Sequence, residues 1–247
     1  QAVRGDLPVN IIFAIEGEEE MGSLHLFQFR DKMLDELKKA DAVFYPNPST
    51  DAYGRQQIFL GFKGIMPMEL EIRGGEWGGP AERALFTADD AWVDSPAWRL
   101  IRALDSLKDS EDRILVEGFY EDVVPLPGEE KEMVEKLKNT LDEEIERKRL
   151  GIRKFKRGRS GKECFEDYVA GPRINIDGFE CGYTGPGIKT NFPNSAKAKI
   201  DVRLVPNQNY DDIFRKLRRH FDRHGFQELE MHPVGGYNWS KTPRNAD

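Results

Sequence analysis

The 247-residue chain has only two cysteines, Cys164 and Cys181, and no His or Cys stands close enough to either to complete a zinc knuckle. They are read as reduced thiols, which points to a cytoplasmic protein. No apolar run approaches the ~20 residues of a membrane span, so no contact with the bilayer is expected. Positive charge is also short: 37 basic against 44 acidic residues leave a net charge of −7, which argues against a nucleic-acid partner. There is no initiator Met, and residues 1–6 have neither the apolar stretch nor the cleavage pattern of a signal peptide. The expectation is a chain that begins inside a longer gene product and is not secreted. Mean hydropathy of −0.64 and a charged fraction of 33% describe a soluble protein large enough for one generous or two smaller domains.

The apolar, β-branched run Val9 to Ile15 suits a strand buried on both faces of a parallel sheet. An acidic loop follows, Glu16-Gly17-Glu18-Glu19-Glu20-Met21-Gly22-Ser23, and then a helical pattern from about Leu24 to Ala40. Ala42 to Tyr45 and Ile58 to Leu60 read as further strands, so residues 1–61 resemble a piece of an α/β sheet. From residue 62 the pattern changes to strict alternation, with Met66, Met68, Leu70 and Ile72 on one face. A helix from Ser95-Pro96 with Leu100, Ile101, Leu104 and Leu107 on its stripe, and a strand at Arg113 to Phe119, come next. A charged helix is expected over about 129–150. Ala198 to Leu204 alternate again, Asn209 caps a helix carrying Ile213, Leu217 and Phe221 that Gly225 closes, and Glu228 to His232 form a last strand. Strand-helix-strand given twice is the order of a ferredoxin-like unit.

Triple glutamate is ordinarily a solvated surface feature. Here it lies beyond the carboxyl end of an expected strand, where ligands of open α/β sheets collect. Two adjacent carboxylates there can divide the work, one holding a divalent metal and the other taking a proton from water. The Glu16 to Ser23 string resembles the E-G-x-E-E-x-G-S segment of the co-catalytic zinc peptidase family that includes carnosinase, carboxypeptidase G, acetylornithine deacetylase and succinyl-diaminopimelate desuccinylase. Leu60 to Gly64 resembles the family's entry into its lid, Gly78-Gly79-Pro80 its double glycine, and Gly185 to Pro193 running into Lys199 to Gln208 its later lid segment.

The resemblance implies an α/β protein: part of a parallel-sheet zinc-hydrolase domain at 1–61, an inserted ferredoxin-like α+β lid and dimerisation domain at 62–238, and a return segment at 239–247. It implies Glu19 as general base, Glu20 as a zinc ligand, and Asn191 and Arg203 as lid residues that bind the substrate carboxylate or oxyanion. The implied activity is hydrolysis of amide bonds in small peptides or N-acyl amino acids, with two zinc ions and a homodimer formed through the lid. Two positions depart from the family pattern. Asn47 stands where the family has a metal-binding Asp, and a neutral amide is a weaker ligand than a carboxylate. Arg73 stands where the lid presents a His, and it would bind an oxyanion as a fixed cation without accepting a proton. The family's remaining ligands, a His-x-Asp segment, a bridging Asp and a late His, are expected outside both ends of the chain. With Asn47 and Arg73 as its marks, the alternative is an inactive member that serves as a ligand-binding or dimerisation module.

His220 and His224, four apart near a helix end, read as structural residues favoured by the macrodipole, without the Glu of a metalloprotease motif. The basic stretch Arg147 to Arg159 reads as a solvated helix end and loop.

Overall fold

A computed structural model describes residues 5, 7–21, 23, 25–45 and 49–243. The chain separates into two compact units, Gln1–Ser49 and Thr50–Asp247.

Among its described residues the first unit contains one helix, α1 (Leu26–Leu37), preceded by a single 3-10 turn, Glu19–Met21. The strands expected at 9–15 and 42–45 do not form among the described residues, nor does the one at 58–60 in the second unit. Strands are held by ladders of hydrogen bonds to neighbours, and among the described residues no such ladder forms along these segments. Their side chains consequently face water: Phe13 is 77% and Val43 92% exposed. The described residues therefore contain no parallel strand pair, and the α/β sheet read from residues 1–61 is not observed.

The second unit is built on a four-stranded antiparallel sheet. Its strands are β1 (Gly64–Arg73), β2 (Arg173–Cys181), β3 (Ser195–Leu204) and β4 (Glu230–Pro233), in the spatial order β2-β3-β1-β4. Helix α2 (Pro96–Asp105) follows β1, and α6 (Tyr210–Arg223) follows β3. This order is that of a ferredoxin-like β-α-β-β-α-β unit. Alternation places Met66, Met68, Leu70 and Ile72 of β1 beside Ala196, Ala198, Ile200, Val202 and Leu204 of β3. Leu100, Ala103 and Leu104 of α2 and Ile213, Leu217 and Phe221 of α6 close over that face to form the core. Asn209 caps α6 by accepting from the N–H groups of Asp211 and Asp212, and Gly225 follows it at φ +82°, as the sequence pattern requires.

The second strand of the unit is β2, not the Arg113 to Phe119 segment. Ile114, Val116 and Phe119 are buried, so the apolar signal there is real, but their segment closes into turns and makes only an isolated bridge from Ile114 to Lys108. β2 is an edge strand, mostly exposed and broken by a bulge between Ile176 and Gly178, which hides its alternation. The charged helix at 129–150 is two helices, α3 (Gly128–Asn139) and α4 (Glu143–Leu150). Asp142 separates them because its carboxylate accepts from the N–H groups of Glu144 and Ile145 and so starts a new helix. Helix α5 (Gly161–Ala170), absent from the sequence reading, begins at a capping box of Ser160 and Glu163.

The chain enters and leaves the sheet side by side: Gly61-Phe62 pairs antiparallel with Ser240-Lys241. A Cβ on Gly61 would lie 2.2 Å from the Ser240 carbonyl oxygen, so only glycine admits this approach.

Candidate functional site

The acidic segment folds on its own polar groups. Met21 and Ser23 donate their backbone N–H groups to the Glu18 carbonyl, at 2.9 and 2.8 Å, and the Ser23 hydroxyl donates to Glu16 at 2.7 Å. Glu18 receives His25 Nδ1 at 2.8 Å and the His25 backbone N–H at 3.2 Å. The hydrogen bond from the His25 ring holds the Glu18 carboxyl below its ordinary range. His25 is thus the residue that anchors the loop. Glu16 and Glu18 are spent on this internal frame, and Glu19 and Glu20 sit on the exposed 3-10 turn between its two ties.

Zinc takes about four ligands. Glu20 offers a suitable oxygen, but no group of three metal-ligating side chains assembles around it among the described residues. Asn47 lies outside the described residues. Asp51, the nearest carboxylate to it in sequence among the described residues, closes its own turn: it accepts the N–H groups of Tyr53 and Arg55, both at 2.9 Å, and Arg55 Nε at 2.7 Å. Burial raises the Asp51 pKa, yet the bonds from Arg55 and Tyr53 outweigh it and leave the carboxyl below its usual range. The acidic turn thus suits a metal by its chemistry but supplies only part of a site.

Arg73, Asn191 and Arg203 belong to the second unit. Arg73 ends β1, 60% exposed, with its guanidinium 2.6 Å from Glu71. Glu71 is buried and also faces Lys197 at 3.2 Å. Glu71, Glu230 and His232 bring one ligand atom each within 4.8 Å of one another. The cations of Arg73 and Lys197 already neutralise Glu71, which makes this group an ion network on the sheet and not a metal centre. The turn after Arg73 is fixed by glycine: a Cβ on Gly74 would lie 1.9 Å from the Pro80 carbonyl oxygen, and Trp77 Nε1 donates to the Arg73 carbonyl at 2.6 Å.

Asn191 is exposed on a two-residue strand, Asn191–Phe192, paired with Leu85–Phe86 and anchored by buried Phe192. Arg203 lies on the uncovered face of β3, and its Nε donates to buried Asp201 at 2.8 Å. Burial first, and then the hydrogen bond and charge of Asp201, push the neighbouring Asp177 carboxyl up. Arg203 is therefore oriented by a buried carboxylate while its guanidinium remains part-exposed.

His220 is a structural residue, as read from the sequence, and burial sets its state. It is 4% exposed, donates from Nε2 to Ser106 Oγ at 3.1 Å while that hydroxyl donates to the Ala103 carbonyl, and stacks on His224 with ring centroids 4.1 Å apart. Burial, and then the charge of His224, bring its pKa down to about 4. A base whose folded pKa lies below its unfolded value binds fewer protons when folded, so its contribution is present above pH ~6.5 and is lost as pH falls toward 4. The loss is expected to reach about 3 kcal/mol. Urea unfolding of the chain and of His220→Gln at pH 7.5 and pH 4 checks this: the parent should lose that much more than the variant.

Together these features define the class: an antiparallel ferredoxin-like domain that follows a carboxylate turn and is entered and left through paired segments, the architecture of a metallopeptidase accessory domain. Residues 91–228 match the family of the peptidase dimerisation domain, and the chain belongs to the M20 peptidase family. It is similar to an M20 family metallo-carboxypeptidase from Sulfolobus solfataricus, with a TM-score of 0.82 and 38% identity over 94% of this chain and 50% of that one. Human carnosine dipeptidase 1 gives a TM-score of 0.73 at 27% identity, covering 98% of this chain and 51% of its own. Human Beta-Ala-His dipeptidase is 30% identical over 230 residues, which are 90% of this chain and 42% of that protein. The chain spans about half the length of the relatives it matches. No helix among the described residues is long and apolar enough to cross a membrane.

Proposed function

We propose that this chain is the central part of a zinc-dependent hydrolase of amide bonds in small peptides, a dipeptidase or carboxypeptidase. The observation that supports this most is the acidic turn, in which Glu16 and Glu18 are tied internally while Glu19 and Glu20 remain exposed, in a chain of this family. In the complete protein Glu20 would hold a zinc ion, which when bound would supply Lewis-acid polarisation of the scissile carbonyl and of a water. Glu19 takes the proton of that water and delivers it to the leaving amine. Arg203, oriented by Asp201, binds the substrate carboxylate through its planar fork, and Asn191 donates to the developing oxyanion. Arg73 offers a fixed positive charge to a substrate oxyanion. Residues 62–238 form the lid through which two copies pair, and residues 1–61 and 239–247 belong to the metal domain. The run Val9 to Ile15 becomes a strand there when neighbours pair with it, and the protein works in the cytoplasm.

Chelation tests this reading. Stripping metal from the complete protein is expected to abolish dipeptide hydrolysis, and one to two equivalents of zinc should restore it, about two being full occupancy of such a co-catalytic site. Hydrolysis that survives metal removal would overturn the proposal. The substitutions read at Arg73 and Asn47 support a second reading, a module that binds ligand without chemistry; a dipeptide held by the complete, zinc-loaded protein but never cleaved would favour it.

A further inference from the structure

The segment that follows α2, from Lys108 to Tyr120, the loop at 156–159 and the start of β2 line a cavity of about 200 Å³. Five cations line it: Lys108, Lys156, Arg157, Arg159 and Arg173. Three carboxylates share the wall, and each is already engaged: Asp112 with Lys108 and Lys156, Glu111 with Arg157, and Asp167 with Arg159. An excess of two positive charges remains, in a chain whose net charge is −7.

Arg173 is where that excess concentrates. It is half-buried, and among the described residues its guanidinium has no hydrogen bond and no ion pair. A part-desolvated cation without an anion is costly, and its neighbours register the cost. Burial and then the charge of Arg173 hold the Lys108 amine below its usual range. Burial, Lys108 and Arg173 do the same to Lys156. Lys63, whose amine donates to the Gly171 carbonyl at 2.6 Å, is brought down to about 8 by burial, then by Arg173. Arg203 is not part of this wall; it faces Arg173 across the β2–β3 register, and its Nε is taken by Asp201.

We propose that this cavity binds a phosphate dianion, free or as the phosphoryl group of a small phosphorylated molecule, with the Arg173 fork and the Lys108 and Lys156 amines as its donors. A dianion matches the charge excess, and a tetrahedral oxyanion accepts from a fork and two amines at once, which a planar carboxylate does less well. The ligand ties the segment after α2, the 156–159 loop and β2 together, so its binding stabilises the second unit.

The test is calorimetric titration of the 247-residue chain with inorganic phosphate, O-phosphoserine and acetate at matched ionic strength, repeated on Arg173→Gln and on Lys156→Gln. Saturable binding of phosphate, weakened about tenfold or more in Arg173→Gln, is expected. Should Arg173→Gln fail to fold, the same weakening in Lys156→Gln carries the result. O-phosphoserine binding tighter than phosphate identifies a phosphorylated molecule as the ligand, and equal binding identifies free phosphate. No saturable binding of either, binding unchanged in the folded variants, or acetate bound as tightly as phosphate would overturn the proposal.

Discussion

In the complete protein, Glu19→Gln is expected to lower kcat for dipeptide hydrolysis by about 10²- to 10⁴-fold, the usual contribution of a positioned general base. The amide keeps the shape of the side chain but accepts no proton at the relevant pH. Because the turn is tied by Glu16 to Ser23 and by Glu18 to His25, and not by Glu19, the substitution should leave the loop folded and substrate binding nearly unchanged. The expected pattern is thus a fall in kcat with KM within a few-fold of the parent, and with zinc content preserved. Glu20→Gln differs in kind, since the complete protein should then retain less zinc. Parent-like kcat in Glu19→Gln would sink the assignment of the base, whatever the metal content.

Phe221→Ala should destabilise the second unit by about 3–5 kcal/mol, the range for emptying a fully buried aromatic site. Phe221 has no exposed surface and belongs to the stripe Ile213, Leu217 and Phe221 by which α6 joins the core over β1 and β3. Its ring also meets His220 edge-on, with centroids 5.8 Å apart, and Arg218 lies over its face. A domain of this size commonly holds only about 5–15 kcal/mol, so the loss is a large share of the total. Urea unfolding of the 247-residue chain measures it, with Phe179→Ala on the exposed edge strand as the control, expected within about 1 kcal/mol of the parent. A loss below about 1 kcal/mol for Phe221→Ala would mean that α6 does not pack on the sheet as described. Since the same sheet carries Arg73 and Arg203, this substitution should also impair whatever those side chains bind.

The second unit was largely legible in the sequence where one face of an element is buried and the other wet. β1 and β3 alternate cleanly, and α2 and α6 carry stripes at helical spacing, because burial against a single partner imposes those periods. Legibility failed at β2, whose edge position and bulge relax the alternation, while the buried trio Ile114, Val116 and Phe119 imitates a strand inside a set of turns. It failed again between α3 and α4, where one aspartate stops a pattern that periodicity alone continues. In the first unit the strand signals are present in the residues, yet strand formation depends on neighbours that the described residues do not provide.

By itself the sequence determined the family and the type of the second unit: an acidic run after an apolar one, and segments whose apolar periods allow one sheet with helices on one face. Those properties are local, set by residue type and spacing. Tertiary structure alone decided which charges meet. Glu71 held between Arg73 and Lys197 of β3, neutral His220 beneath the end of α2 and unpaired Arg173 among lysines depend on residues from different segments, and His25 reaches back to Glu18 within the acidic turn. Coulomb energies and desolvation depend on separations of a few ångströms and on burial, and neither is encoded in the order of residues along the chain.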